Sequence, residues 1–258
     1  MEVSFCIVNL NAKHQIDNCI RTIPEASGDY LYEIIVVDNN SNDGSKNLLK
    51  KYLPNIKLIK NRYNYGYTRA INQAINKSSG DYIAVVNPDT LLNHESISTL
   101  IEFLDENNNI GVVGPKVLNI DGTFQKSCKR GVATPFAVFC YFLGLQNVFP
   151  NNKKYAEYHL NYLHEDDINE VSGVSGSCMI IRKSLIDKIG LFDERYFAYQ
   201  EDSDFCLRAI KANWKVYYNP DSIVTHVGGR GGSHSVPYRA IYEWHKSYLL
   251  YYQKFFDF

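Results

Sequence analysis

Residues 81–90, DYIAVVNPDT, contain the transition from apolar to polar residues that indicates the fold. Tyr82 to Val86 is a short run of strand-forming residues, apolar enough to lie in the middle of a sheet. Pro88 has no amide hydrogen to donate to a neighbouring strand, so a central strand must end before it. Asp89 follows at once. The stretch therefore predicts a buried strand with a carboxylate just beyond its carboxyl end.

Similar apolar runs alternate with helical patterns through the first half of the chain. The predicted strands are residues 3–8, 33–37, 56–60, 82–86 and 110–114. Apolar residues at helical spacing lie between them, at Ala70, Ile71, Ala74 and Ile75 and at Ile97, Leu100, Ile101 and Leu104, the second set with Asn93 as its expected cap. This alternation predicts a single α/β domain with a mostly parallel central sheet and helices on both faces.

Polar side chains follow several of these strands. Asn9 follows the first strand, Asp38 the second, and Asn87 and Asp89 the fourth. Ligands of such sheets bind beyond the carboxyl ends of the strands. We expect the second and fourth strands to lie side by side, so that Asp38 and Asp89 share a site. The polar residues 39–42 are interpreted as ordinary loop residues.

Composition and charge narrow the class of protein. The 258 residues carry a formal net charge of −1, and no basic excess points to nucleic acid. Six scattered cysteines without a CxxC pair are typical of reduced thiols in a cytoplasmic protein.

The N-terminus does not resemble a signal peptide. The apolar stretch 135–145 is shorter than the roughly 20 residues that span a bilayer. We expect a buried helix or loop there, with attachment to a membrane surface as the alternative.

The second half contains another acidic cluster. A short strand is predicted within residues 173–185, and a helix is predicted from about Asp202. Asp204 and Arg208 form an i,i+4 pair on that helix. Two interpretations of Glu201 and Asp202 stay open: carboxylates that favour a helix N-terminus, or a catalytic base at Asp202.

In the stretch 217–235, His226 follows an apolar run and precedes a glycine-rich loop that contains Arg230. Glycines let a loop close over a ligand, and an arginine there suits a phosphate group. The acidic stretch 164–170 is interpreted as a solvated loop. Residues 115–170 show no regular pattern that assigns their structure.

An amphipathic helix is predicted over the C-terminal residues 238–258. Its predicted apolar face consists of Ile241, Trp244, Tyr248, Leu249, Tyr252, Phe255 and Phe256, and its polar face of Glu243, Lys246 and Lys254. We expect this helix to pack on its own domain. The alternative is that its aromatic end contacts a membrane or another chain.

Taken together, these stretches resemble the family-2 glycosyltransferases, which are inverting enzymes with a GT-A fold and nucleotide-sugar donors. The motifs that carry the resemblance are residues 3–11, 34–45, 64–75, 81–90, 193–209 and 223–233. Many members of the family have Asp-x-Asp at the position of the "NPD" at 87–89. The NPD sequence makes the chain most similar to bacterial rhamnosyltransferase-type members.

The resemblance implies a role for each candidate residue. Asp89 and His226 would hold Mn²⁺ or Mg²⁺ against the donor diphosphate, which suits the oxygen and imidazole ligands that these ions accept. Asp202 would be the catalytic base, with Glu201 as the next candidate. The implied nucleotide-sugar-binding residues are Asn9, Asp38, Asn64, Gly66, Arg69, Asn87 and Arg230. Asp38 would accept a hydrogen bond from the imide of uracil or thymine.

The predicted activity is transfer of a hexosyl group, first of all L-rhamnosyl from dTDP-rhamnose, to a saccharide or lipid-linked glycan. Residues 1–115 would form the nucleotide-sugar-binding half and residues 116–237 the acceptor and catalytic half. The alternatives are a UDP-sugar-dependent hexosyltransferase, a sugar nucleotidyltransferase, or a non-catalytic nucleotide-sugar-binding module. The expected location is cytoplasmic, with peripheral contact at the inner face of the cell membrane as a further expectation.

Overall fold

The computed structural model describes residues 2–228 and 237–256. Within these ranges the strands are β1 (Val3–Asn9), β2 (Tyr32–Asp38), β3 (Lys57–Lys60), β4 (Tyr82–Val86), β5 (Thr90–Leu92), β6 (Ile110–Leu118), β7 (Lys129–Arg130), β8 (Asn169–Glu170), β9 (Gly173–Val174), β10 (Cys178–Arg182) and β11 (Lys215–His226). The helices are α1 (Lys13–Ala26), α2 (Ser45–Lys50), α3 (Tyr67–Ile75), α4 (Ser96–Glu106), α5 (Pro135–Phe142), α6 (Leu145–Val148), α7 (Lys153–Ala156), α8 (Lys183–Ile189), α9 (Glu201–Lys211) and α10 (Pro237–Phe255), with a 3₁₀ turn at Lys126–Cys128.

One large sheet organises the domain. Its order is β3-β2-β1-β4-β10-β6-β11-β5, and β8 pairs with β11. Strands β3, β2, β1 and β4 are parallel, whereas β10 runs antiparallel between β4 and β6. The sequence therefore predicted the α/β class and the parallel half correctly, and the whole sheet is mixed.

The second and fourth strands are not neighbours, contrary to expectation. Strand β1 lies between them, because it pairs with β2 on one side and β4 on the other. Asp38 and Asp89 are therefore separated by the width of a strand. The five strands predicted in the first half are otherwise present, and the centre of the sheet is covered so fully that every residue of β1 and β4 is buried.

The helices follow the predicted apolar spacing. Helices α3 and α4 bury the predicted residues, including Ile71 and Leu100. The expected cap at Asn93 is wrong: α4 begins at Ser96 after Glu95, which has a left-handed backbone, and no side chain of the described residues caps the first turn. Asn93 instead accepts a hydrogen bond from the Ser96 hydroxyl through its backbone carbonyl.

The apolar stretch 135–145 is only partly buried, which corrects the expectation of a buried segment. Helix α5 turns Ala137, Val138 and Cys140 inward, whereas Phe139 and Phe142 are more than half exposed. A helix that is apolar on every side is usually buried, so the exposure of one side of α5 is unusual. None of the helices in the described ranges is long and apolar enough to cross a membrane.

Helix α10 packs on its own domain, as expected, and through most of the predicted apolar face, since Trp244, Tyr248, Tyr252, Phe255 and Phe256 belong to one packed cluster. Tyr248 and Tyr251 are buried, and Lys254 lies 2.8 Å from Asp193 and 2.5 Å from Asp204. Two members of the predicted apolar face, Ile241 and Leu249, are 57% and 56% exposed. Lys254, a member of the predicted polar face, therefore lies against the domain, where it joins two carboxylates that also pair with Arg195 and Arg208.

Candidate active site

A cavity of about 420 Å³ opens at the carboxyl ends of the central strands. The end of β4 contributes Asn87, Pro88 and Asp89, and the start of α9 contributes Glu201 and Asp202. The sheet therefore brings the two acidic clusters of the sequence to one cavity, although more than a hundred residues separate them along the chain.

Asp89 and His226 meet at this cavity. The His226 Nε2 atom lies 3.2 Å from Asp89 Oδ1, and the two side chains are 18% and 14% exposed. Strand β5 pairs antiparallel with the end of β11, and this places His226 opposite Thr90. The backbone amide of Val227 also donates to the Asp89 carbonyl. A carboxylate oxygen and an imidazole nitrogen therefore lie side by side and largely shielded from water.

Gln125 is the hydrogen-bond partner of His226 Nδ1, the imidazole nitrogen that does not contact Asp89. The Gln125 Nε2 atom donates to Asn119 Oδ1 at 3.0 Å, so the amide directs Oε1 at His226 Nδ1, 3.1 Å away. An amide oxygen only accepts, so Nδ1 is the donor of this hydrogen bond, and a cation bound by Asp89 would meet the lone pair of Nε2. His226 is thus oriented as a metal-ligating histidine usually is, with a hydrogen-bond acceptor behind it.

Asp202 is tightly held at the N-terminus of α9. Its Oδ2 atom lies 2.5 Å from Arg130 Nη2 and accepts from the Gly176 amide at 3.0 Å. Its Oδ1 atom accepts from the Ser203 amide at 2.7 Å. The Asp202 carboxylate is thus oriented by a cation and two backbone donors, which are the strong partners of an ionised acid.

The neighbouring Glu201 has a different environment. It is buried, and its Oε2 atom has no hydrogen-bond partner among the described residues. Burial, followed by repulsion from Asp202, raises the pKa of the Glu201 carboxyl to about 8. Just before it, Tyr199 and Gln200 both adopt left-handed backbone conformations, which are uncommon for residues other than glycine. Strained backbone of this kind is concentrated at functional sites.

Asn9 and Asp38 lie beneath the cavity rather than on its wall. Both side chains are fully buried, and Asn9 Nδ2 donates to Asp38 Oδ1 at 3.0 Å. The second oxygen of Asp38 accepts from the Ser41 amide. A nucleobase would reach Asp38 only if the residues above it moved, and its role in base recognition stays a prediction.

The neighbour of Asp38, Asn39, lies on the cavity wall instead. Asn39 donates to Asn64 Oδ1 at 2.9 Å and to the Gly66 carbonyl at 3.0 Å. Its own oxygen accepts from Asn61 Nδ2 and from the Tyr65 amide. Asn39 therefore fixes the loop that carries Asn64 to the cavity. Asparagine is common in loops, so the local sequence gives no sign of this role.

Gly66 lies under the segment that precedes α9. Its φ is +89°, and a Cβ atom there would come within 2.6 Å of the Phe197 carbonyl oxygen. The same carbonyl accepts from the Tyr67 amide at 2.7 Å. Gly66 thus allows the close contact that joins the start of α3 to the loop 197–200 on the cavity wall.

We expect Gly66→Ala to lower the free energy of unfolding by about 3 kcal/mol, since it adds a backbone clash to the strain of a positive φ. Urea denaturation measures the change. Gly122→Ala is the matched control, because Gly122 has a φ of +80° and a Cβ atom there would have no heavy atom of the described residues within 4 Å. That control should cost only about 1–2 kcal/mol. Equal losses for both variants would contradict the contact with Phe197.

The remaining predicted binding residues differ in position. Asn87 and Asn64 lie on the cavity wall. Arg69 is exposed outside the cavity, with its guanidinium 5.0 Å from the centre of the Tyr65 ring. Arg230 lies outside the described residues. Of the predicted residues that the structure describes, Asn64 and Asn87 therefore lie on the wall, Asn9 and Asp38 beneath it, Gly66 against Phe197, and Arg69 on the surface.

Several cavity residues were missed by sequence reasoning. Arg130 comes from the irregular region 115–170, where no pattern marked it. Tyr158 comes from the same region, and Arg239, Glu243 and Trp244 come from α10, which the sequence marked only as amphipathic. Aromatic and charged residues of this kind have no local signal that distinguishes a site from a packing contact.

The fold is that of the GT-A glycosyltransferases. The solved structure of GalNAc-T7 with UDP, GalNAc and Mn²⁺ superposes with a TM-score of 0.66, covering 88% of this chain and 44% of that chain at 16% identity. At that identity the likeness establishes the fold alone.

Sequence comparison establishes the family. Residues 4–190 match the model of Glycosyl transferase family 2, and the chain belongs to that family. Asp89 lies inside the matched region, whereas Asp202 and His226 lie beyond it.

Two curated relatives are rhamnosyltransferases. N-acetylglucosaminyl-diphospho-decaprenol L-rhamnosyltransferase of Mycobacterium tuberculosis (strain CDC 1551 / Oshkosh) is 30% identical over 204 residues, or 75% of this chain and 66% of the relative. Rhamnosyltransferase WbbL of Escherichia coli (strain K12) is 26% identical over 194 residues, or 73% of this chain and 70% of the relative. The matched part thus spans slightly less than two thirds of the mycobacterial protein.

Proposed function

We propose that this chain transfers a hexosyl group, with inversion, from a nucleoside-diphosphate sugar to a glycan acceptor during synthesis of a surface polysaccharide. L-Rhamnose carried by dTDP is the proposed donor. The observation that carries the proposal is the cavity that is lined by Asp202 and by Asp89, whose carboxylate lies 3.2 Å from His226. The names of the two relatives support the choice of rhamnose.

The residues at the cavity fit a divalent cation. Asp89 and His226 would hold Mn²⁺ or Mg²⁺ through a carboxylate oxygen and an imidazole nitrogen, ligand types that suit Mn²⁺. The described residues contain no group of three or more acidic, histidine or cysteine side chains that could hold a metal. Diphosphate oxygens and water would therefore complete the coordination, as is usual for cations that bind with a nucleotide. Such an ion neutralises the charge of the leaving diphosphate.

Asp202 is the proposed base. It would accept the proton of the acceptor hydroxyl as that oxygen attacks the anomeric carbon. Arg130 and the Gly176 amide fix the carboxylate in place, so a hydroxyl that approaches α9 meets a preoriented acceptor of protons. Glu201, with its unpartnered oxygen and raised pKa, is the alternative base at the same helix terminus.

The proposed acceptor is a lipid-linked glycan. The mycobacterial relative is named for such an acceptor, N-acetylglucosaminyl-diphospho-decaprenol. In this chain the residues that line the cavity include Tyr158 and Trp244. Aromatic side chains of this kind suit the apolar face of a sugar ring.

Calorimetric titration with dTDP-rhamnose, UDP-glucose and GDP-mannose, each with and without Mn²⁺, tests the proposal. We expect dTDP-rhamnose to bind most tightly and to require the cation. Tighter binding of UDP-glucose would favour a UDP-sugar-dependent hexosyltransferase. Binding without turnover on any glycan acceptor would favour a non-catalytic module, and GDP competing as well as dTDP would contradict the expected role of Asp38.

Gln125→Leu should weaken Mn²⁺ binding about 10–100-fold, because it removes the acceptor that holds the hydrogen on His226 Nδ1. Electron paramagnetic resonance of Mn²⁺, titrated in the presence of dTDP, measures the affinity without turnover. Gln125→Glu keeps an acceptor at the same place and should retain most of the affinity. Unchanged Mn²⁺ binding by the leucine variant would separate Gln125 from the cation site.

A further inference from the structure

Helices α5, α6 and α7 present an apolar surface to solvent beside the candidate active site. We define this α5–α7 surface by its exposed members, Phe136, Phe139, Phe142, Leu143, Val148 and Phe149, which are between 45% and 67% exposed. Phe136, Phe139 and Leu143 are spaced i, i+3 and i+7, so they lie on one side of α5. Contiguous exposure of large apolar side chains marks an interaction site.

The same segment has a marked charge asymmetry. No acidic residue occurs between Asp121 and Glu157, although the whole chain carries a net charge of −1. Lys153 and Lys154 are exposed at α7, and the Lys154 ammonium lies 5.4 Å from the centre of the Phe136 ring. Exposed lysines therefore border the apolar surface at α7, and the acidic residues Glu165 and Asp166, which share a pocket with Asn147 and Pro150, are paired with Lys116.

The α5–α7 surface is continuous with the cavity. The Phe142 ring contacts Trp244 with centroids 5.6 Å apart, and Trp244 lines the cavity. The Tyr141 ring lies 5.0 Å from Tyr158, a second cavity residue. A molecule that covers α5 thus reaches the same mouth through which an acceptor would enter.

We propose that the α5–α7 surface docks on a membrane that contains anionic phospholipids, with the exposed phenylalanines in the headgroup region and the lysines on lipid phosphates. Apolar side chains together with bordering lysines suit this occupant, because interfacial binding combines buried apolar area with attraction to anionic lipid. A protein partner would not need a segment free of acidic residues. This inference deepens the proposed function, since docking would hold the cavity against a lipid-linked acceptor.

Vesicle flotation with the full chain tests the proposal, without donor or acceptor. The protein should float with phosphatidylcholine vesicles that contain phosphatidylglycerol, and at least about tenfold less with phosphatidylcholine alone or at high salt. Phe139→Ser/Leu143→Ser and, independently, Lys153→Glu/Lys154→Glu should each lower the bound fraction at least about tenfold. Circular dichroism melts of each variant check that these exposed substitutions leave the fold intact.

Leu31→Ser is the matched control. Leu31 is 66% exposed and precedes β2, at the amino ends of the parallel strands and away from the cavity, so its variant should bind like the wild type. Absence of binding by the wild-type protein, or equal binding by all variants, would overturn the proposal. The proposal would also be overturned if light scattering showed that the wild-type protein is a dimer and the Phe139/Leu143 variant a monomer. A second copy of the chain would then cover the surface. Flotation does not require transfer, so its failure would leave the proposed transferase activity standing.

Discussion

Asp89→Ala should lower kcat by about 10³-fold or more. Asp89 would supply the carboxylate ligand of the proposed cation, and an unneutralised diphosphate is a poor leaving group. Each tenfold change in rate corresponds to about 1.4 kcal/mol of activation free energy. The expected fall in kcat therefore corresponds to a loss of several kcal/mol of transition-state stabilisation. Steady-state turnover with saturating dTDP-rhamnose and Mn²⁺ measures it. The Asp89 carbonyl still accepts from the Val227 amide in the variant, so the local backbone should persist.

His226→Ala provides the second half of this test, because it removes the other proposed ligand and leaves Asp89 in place. Both variants should bind Mn²⁺ more weakly, as measured by paramagnetic resonance. Asp29→Ala is the control for loss of an exposed carboxylate, since Asp29 lies between α1 and β2 at the amino ends of the strands, and it should behave like the wild type. Full activity of the wild-type protein in excess EDTA would end the proposal of metal dependence.

Asp202→Asn should lower kcat by roughly 10²-fold or more while donor affinity changes little. Asparagine keeps the shape of the side chain but removes its basicity. The substitution also removes the charged partner of Arg130, whose guanidinium lies 2.5 Å from Asp202, and an unpaired buried charge is costly. The melting temperature of the variant must therefore be measured as well as its kinetics. Turnover should be assayed at a temperature well below it.

Glu201→Gln is the matched control, since it replaces the adjacent carboxyl, which a pKa of about 8 keeps largely protonated at neutral pH, by an amide and leaves the partner of Arg130 in place. We expect it to retain most of the activity. The opposite pattern, with normal turnover in Asp202→Asn and loss in Glu201→Gln, would assign the base to Glu201. The pH profile gives an independent criterion: because the pKa of Glu201 is raised to about 8, a base at that residue would give kcat/KM an ascending limb near pH 8. Glu201→Gln would then remove that limb.

Much of the candidate site was predictable because its residues lie at the ends of strands. Asp89 follows a run of apolar strand formers and a proline, and His226 ends another apolar run, so local sequence placed both at the edge of a sheet. Their distance from each other, 3.2 Å, depends on the antiparallel pairing of β5 with β11. That pairing joins segments more than a hundred residues apart, and no local pattern encodes it.

The prediction of a shared site for Asp38 and Asp89 illustrates the opposite case. Both residues follow buried strands, and the strand order decides which of them faces the cavity. Strand β1 separates β2 from β4, and Asp38 turns down to Asn9 and Ser41 rather than up to the cavity. Asn39, the next residue, reaches the wall. Side chains alternate in direction along an extended chain, so Asp38 and Asn39 meet different neighbours although both are buried.

Local sequence was enough to specify the α/β class, the parallel strands of the first half, the start of α9 near Asp202 and the delivery of His226 at a strand end. These features follow from the spacing of apolar residues and from proline and glycine, which act over a few residues. The pairing of Asp202 with Arg130, the ion pairs of Lys254 and the exposure of α5 emerge only in the folded chain. Each of these depends on which distant segment covers a side chain, and the free energy of burial is set by that contact rather than by neighbouring residues.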